Sequence, residues 1–180
     1  MRLHWCSPAV LLFQNAMTLY FAYGSNMHRA AMLARCPSAR ALGAARLDGH
    51  RFFIGIDGWG SVKPAPGESV HGVLWRLTPR DLAALHNYEL LHKGLYDVRT
   101  LPVRHGKRMV LAMIYLLRRR SAGRPKPGYA EMCAAAARHW NLPERHARAI
   151  ERWSMSRWTG SRVIGCEDLG CEDLSGSDAR

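Results

Sequence analysis

Acidic residues are scarce in this chain. Fourteen Asp and Glu stand against twenty-six Lys and Arg among 180 residues, a formal net charge of +12. Long apolar runs are missing too. The longest, Met109 to Leu117, has the length of a strand and falls far short of the ~20 residues of a membrane helix. The five cysteines (Cys6, Cys36, Cys133, Cys166, Cys171) form no CxxC pair and show no zinc spacing. That odd, scattered count argues for reduced thiols and a cytoplasmic setting rather than a disulfide framework. No nucleophile elbow, no Cys/His signature and no P-loop occurs. Chemistry that needs a protein nucleophile or a bound nucleoside triphosphate therefore has no motif to stand on.

Hydrophobic residues make up 48% of the chain, enough for one domain with a real core. Charge is unevenly spread. Five of the acids (Glu167, Asp168, Glu172, Asp173, Asp178) lie in the last eighteen residues, leaving nine acids against twenty-five Lys and Arg elsewhere. Such a field favours anionic partners, whether nucleic acid or a small carboxylate. The basic loop Arg118-Arg119-Arg120 with Arg124 and Lys126 reads as a solvated hairpin end. No nucleic-acid motif accompanies it, so a basic nucleic-acid-binding protein stands only as a lesser alternative. Met17 directly precedes a strong strand pattern, so residues 1–16 are expected to be an upstream or disordered extension. The domain is placed at 17–158. An acidic tail, 159–180, repeats Gly-Cys-Glu-Asp-Leu twice and is expected to be disordered.

Thr18 to Tyr23 reads as a strand broken by Gly24, after which Ser25 or Asn26 can cap a helix running to about Arg35, ended by Pro37. Strands are expected at Leu47 to Ile56 and Ser69 to Leu77, with tight turns at Gly55, Gly58 and Gly60. Thr78, Pro79 and Asp81 form a helix start. Leu95 to Arg104 and Arg108 to Leu117 make a hairpin about Gly106. Tyr129, Met132, Cys133, Ala136, Ala137 and Trp140 recur at helical spacing. Pro143 opens a last helix with His146, Ile150 and Trp153 on one side. Cys36 and Cys133 are expected to be buried and structural. These elements imply an α/β (α+β) domain. The strands follow one another too closely for regular βαβ units, which favours a mixed or barrel-like sheet with flanking helices.

Two features carry chemistry. In Phe21-Ala22-Tyr23-Gly24-Ser25-Asn26-Met27, a glycine lets backbone approach a ligand, and N–H groups at a helix start can hold a carboxylate. Alone, the same pattern also fits a plain turn. Glu89 ends an otherwise apolar helix, where partial burial would raise its pKa. Alone, it also fits a solvated surface acid. His86, Glu89 and His92 do not have the one-face spacing of HExxH, so no metal is expected. His28 and His71 read as structural or solvated.

Taken together, these features resemble the γ-glutamylcyclotransferase family, which includes the AIG2-like proteins. The family opens on a strand followed by Tyr-Gly-Ser-Asn, here Tyr23 to Asn26, and its catalytic Glu precedes a Tyr by seven residues, as Glu89 precedes Tyr96. Further likenesses are Arg35-Cys36-Pro37, His71-Gly72-Val73-Leu74-Trp75, Leu77-Thr78-Pro79, Pro127-Gly128-Tyr129 and Leu142-Pro143. They span about Thr18 to Trp153. The resemblance implies a mixed β-barrel and a cofactor-free enzyme, a transferase or lyase, acting on a small γ-glutamyl substrate. The substrate closes to 5-oxoproline and releases its amine. Glu89 would be the acid/base, the Gly24–Asn26 backbone the anion cradle, and Tyr23, Tyr96 and Tyr129 the pocket lining; Tyr129 equally fits core packing. The alternative within the family is a non-catalytic binder of γ-glutamyl or carboxylate ligands. Glutathione-specific relatives end the loop motif differently, which disfavours glutathione. The residues after the family Glu are often small and begin with Gly. Here they are Leu90-Leu91-His92-Lys93, a departure that bears on substrate choice.

Overall fold

β-Branched and aromatic residues at Thr18–Ala22 form the first strand, β1. The computed structural model describes residues 17–89, 91 and 94–155. Residues 1–16, the tail from 156, and Leu90, His92 and Lys93 lie outside the described residues, and with them Cys6, Cys166, Cys171 and the expectations placed there.

The remaining strands are β2 (Arg40–Ile54), β3 (Gly60–Leu77), β4 (Tyr96–His105) and β5 (Arg108–Leu117). They close into a barrel in the order β1-β3-β2-β4-β5. All pairings are antiparallel except that of β1 with β5, which is parallel and bridged at Tyr20 and Met113. This is the expected mixed barrel. Its helices are α1 (Arg29–Arg35), α2 (Pro79–Tyr88), α3 (Tyr129–His139) and α4 (Glu144–Met155). Among the described residues, no helix is long and apolar enough to cross a membrane.

The pleat sorts the core into two parts. Phe21, Leu47, Val70, Leu74, Val103, Ala112 and Ile114 point inward and fill the barrel. Their neighbours Tyr20, Ala22, Val73, Trp75, Leu77, Met113, Tyr115 and Leu117 point outward against the helices. Cys36 and Cys133 are free thiols fully buried in this outer layer, and burial pushes them up to about 11 and about 12. The α3–α4 pair is clamped by Arg138, which bonds both Glu144 and Glu151.

Two strands are longer than expected. β2 begins seven residues before Leu47, in Arg40-Ala-Leu-Gly-Ala-Ala-Arg. Those residues have little intrinsic strand preference, and pairing with β3 overrides it. β3 begins at Gly60 and runs through Pro64, Pro66 and Gly67. Its register against β2 jumps from Asp48↔Ser69 to His50↔Pro64, so the prolines sit in or beside a bulge. The basic segment after β5 is also no free hairpin end. It straps the barrel mouth: the Ile56 N–H donates to the Ser121 carbonyl, Gly123 to Ile54, and Lys126 to Gly58.

The α2 start is as expected. Thr78 Oγ1 accepts from the Asp81 N–H at 3.2 Å, and the Thr78 N–H donates to Asp81 Oδ2 at 3.0 Å. Asp81 also receives the Ser38 N–H at 3.2 Å, and its carbonyl accepts from Cys36 Sγ, tying the end of α1 to the start of α2. Replacing Thr78 by Ala is expected to cost about 1 kcal/mol, read as a lower denaturant midpoint at constant m.

Candidate active site

β1 ends beside the C-terminal half of β5, with Tyr20 in the outer layer and Tyr23, just beyond the strand, in the inner one. There the chain leaves the sheet at Gly24 and makes a single 3-10 turn, Ser25–Met27, before α1. The helix expected from Ser25 is thus split in two. His28 caps α1, its Nδ1 accepting from the Ala31 N–H at 3.2 Å. Neither Ser25 nor Asn26 caps it, and the Asn26 side chain is engaged elsewhere.

A cleft at this end is lined by Tyr20, Tyr23, Gly24, Ser25, Asn26, Gly60, Glu89, Tyr96, Tyr115 and Tyr129. All seven residues singled out from the sequence therefore meet around one space. Its cavity volume is only about 30 Å³, well below the roughly 300–1,000 Å³ of a typical ligand cleft, so its own side chains nearly fill it. A wider groove between α1 and α3, lined by His28, Arg29, Leu33, Ala136 and His139 among others, carries no carboxylate.

Glu89 occupies the C-cap of α2. Its carboxylate accepts from Asn26 Nδ2 at 2.7 Å. The same amide nitrogen donates to the Tyr20 hydroxyl at 2.9 Å, and Asn26 Oδ1 accepts from Arg35 Nη1 at 2.6 Å. Burial pushes the Glu89 carboxyl up to about 7, against the pull of the Asn26 hydrogen bond and the Arg35 charge. The negative end of the α2 dipole adds to the upward push. The tyrosines around it stay neutral. Burial raises Tyr20, Tyr23, Tyr96, Tyr115 and Tyr129, and the Glu89 charge adds to this at the first four.

Tyr23 donates its hydroxyl to the Tyr115 carbonyl. Tyr129, placed from the sequence either in the pocket or in the core, belongs to both. It is 6% exposed, and its hydroxyl accepts from the Gly60 N–H at 3.0 Å. A Cβ on Gly24 would lie 2.7 Å from that hydroxyl oxygen, and one on Gly60 2.9 Å. Both glycines are therefore the space into which Tyr129 reaches.

Sequence reasoning missed Tyr20, Gly60 and Tyr115. Tyr20 and Tyr23 have opposite parity along a strand and read as opposite faces. They do pack in opposite layers, and both still line the cleft. Tyr115 lies in an apolar strand and reads as core. Gly60 reads as a turn and instead begins β3. Among the described residues no three His, Cys, Asp or Glu side chains converge on a metal-sized space; His92, the last member of the 86–89–92 spacing, lies outside them. His71 and His146 pack together between β3 and α4, ring centroids 5.4 Å apart, away from the cleft.

Residues 20–141 match the family model for gamma-glutamyl cyclotransferase, AIG2-like. The chain is 28% identical over 145 residues to a gamma-glutamylcyclotransferase of Mus musculus, covering 74% of this chain and 77% of that one. To a gamma-glutamylcyclotransferase of Homo sapiens it is 29% identical over 148 residues, covering 74% and 78%. A solved structure of a gamma-glutamyl cyclotransferase superposes with a TM-score of 0.73 at 24% identity, over 83% of this chain and 95% of that one, which establishes the shared fold. A barrel of this order, a Tyr-Gly-Ser-Asn turn facing a partly buried Glu and a family match across most of the described chain agree: the protein belongs to the gamma-glutamyl cyclotransferase, AIG2-like family.

Proposed function

We propose that this protein cyclises the γ-glutamyl group of a small γ-glutamyl amino acid or amine to 5-oxoproline and releases the amine. The observation that carries this reading is the Glu89 carboxyl, partly buried in a small cleft walled by tyrosines and by the Tyr23–Asn26 turn, and raised by that burial. The substrate's α-nitrogen attacks its own γ-carbonyl carbon, a C–N bond forms to close the ring, and the original amide C–N bond breaks. The two protons lost by the attacking ammonium match the two gained by the amine, which departs as an ammonium ion. No water, oxidant or protein nucleophile enters.

Glu89 is the proton shuttle in this scheme. A substrate α-ammonium has a pKa of roughly 8, against roughly 4.3 for an ordinary Glu, an uphill transfer of about 5 kcal/mol. With Glu89 at about 7 the gap narrows to about one unit, or about 1.4 kcal/mol. Amides of the Gly24–Asn26 turn hold the α-carboxylate or the developing oxyanion. Tyr23, Tyr96 and Tyr129 shape the walls, and holding the bent conformer supplies the rest through orientation.

The direct test is 5-oxoproline release from γ-glutamyl-alanine, γ-glutamyl-ε-lysine and glutathione, with product expected from at least one of the first two. No product from any of them, with folded protein, would reject the reading. The pH profile is a second check. The acid limb of kcat/KM is expected near 7, where Glu89 gains its charge, and the alkaline limb near roughly 8, set by the substrate ammonium. An acid limb near the ordinary carboxylate value would remove Glu89 from its role.

A further inference from the structure

Asn26 is 3% exposed and uses both ends of its amide. Half a turn about its last bond exchanges the oxygen and the nitrogen. The two orientations have opposite effects on Glu89. With NH2 toward the carboxylate the amide donates; with oxygen toward it, two acceptors face each other. Tyr20 does not choose between them, because a hydroxyl donates and accepts. Arg35 does choose. A guanidinium has donors only, so the amide end facing Arg35 Nη1 must be oxygen, and the end facing Glu89 must be nitrogen.

Arg35 is itself held in place. It ends α1, and its guanidinium carbon lies 3.8 Å from the centroid of the Tyr88 ring. Tyr88 is the last residue of α2 and directly precedes Glu89. Its 47% exposure fits a ring laid over a cation at the surface. Tyr88, Arg35, Asn26 and Glu89 thus form a circuit joining α1, the 3-10 turn and the end of α2.

We propose that Arg35 is a positioning residue for Glu89: by gripping Asn26 Oδ1 it fixes the amide with its NH2 toward the carboxylate, and so holds that carboxylate where it meets the substrate amine. The proposal rests on the cyclotransferase reading of the cleft and adds a residue that touches neither substrate nor Glu89. The Arg35 charge also lowers the Glu89 carboxyl directly, so the part carried through the neutral amide is what a comparison with and without Asn26 isolates.

The experiment compares Arg35→Met and Arg35→Lys with the unmodified chain and with Asn26→Ala, in the full-length protein. The Glu89 carboxyl is titrated by 13C NMR, its resonance assigned with Glu89→Gln, and kcat and KM are followed against pH. In Arg35→Met the Glu89 midpoint is expected to rise by about one unit. The acid limb should move with it, kcat at pH 7 should fall about fivefold or more, and KM should change less than about threefold. Arg35→Lys should recover part of the shift. In the Asn26→Ala background the shift caused by Arg35→Met should shrink to less than half. An unchanged midpoint in folded Arg35→Met overturns the proposal. So does an equal shift with and without Asn26, which would make Arg35 a direct charge effect. If Arg35→Met does not fold, Arg35→Lys alone and in the Asn26→Ala background makes the same comparison. Absence of 5-oxoproline from the unmodified protein would fail the cyclotransferase reading and leave the titration to decide the role of Arg35.

Discussion

Replacing Glu89 by Gln is expected to lower kcat for 5-oxoproline formation by about 10²–10⁴-fold, the loss typical of a positioned acid/base. Gln keeps an oxygen that can accept from Asn26, so the cleft should keep its shape and KM should move little. Stability should change in the opposite direction from activity. The folded protein holds the Glu89 proton up to about 7, while the unfolded chain releases it near the ordinary value of 4.5. Between those values the folded state binds more protons, so stability falls as pH rises through this window. Above it, the buried charge costs up to about 3 kcal/mol, an upper figure for a group this enclosed. Glu89→Gln should therefore be the more stable protein at pH 8 and nearly equal at pH 4, by denaturant titration at both. Equal stability at both pH values would mean that Glu89 is not buried as described. Full activity in Glu89→Gln would remove it from the chemistry.

Replacing Gly72 by Ala is expected to destabilise the fold by about 3 kcal/mol, near the upper end for overpacking. An Ala in a strand ordinarily helps, because glycine loses more backbone freedom on folding. Here a Cβ would lie 2.2 Å from the Ala22 carbonyl oxygen and 2.8 Å from the Phe21 ring. The first obstacle is backbone, so β1 and β3 must part at the Ala22↔Val73 pair. The residue after Ala22 is Tyr23, and the cleft should loosen with the strand. The expected result is a lower unfolding midpoint together with lost activity well below that midpoint. A variant as stable as the parent would show that β1 can shift without cost.

How much of this was legible in the sequence depends on the range of the interactions concerned. The α2 start was readable because a capping box is closed within four residues, Thr78 to Asp81. The β4–β5 hairpin was readable because its strands are adjacent and joined by Gly106. The first half of β2 was not: alanines, glycine and arginines become a strand only through partners 25 to 36 positions away on β3, from Arg46↔His71 to Arg40↔Arg76. The strand expected from the sequence began only at Ser69, beyond Pro64–Gly67, because a bulge uses the residues that loops use. Within the cleft, the seven named residues were legible through a family spacing rather than through local pattern. The side-chain role of Asn26 was not legible, because its partners Tyr20, Arg35 and Glu89 stand 6, 9 and 63 positions away. Arg35 was noticed only as part of Arg35-Cys36-Pro37.

Strand order in the barrel has a kinetic consequence. β1 is made first, yet its neighbours are β3 and β5, and the parallel bridge Tyr20↔Met113 spans more than ninety residues of chain. Contacts of such separation must await the closure of large loops, which slows folding relative to helical proteins of this size. The cleft inherits that delay, since its walls come from positions between Tyr20 and Tyr129. During synthesis, the Tyr23–Asn26 turn leaves the ribosome early and waits for Glu89, then Tyr115, then Tyr129 before it faces anything. Activity in a nascent chain should therefore switch on late and all at once, after α3 has emerged.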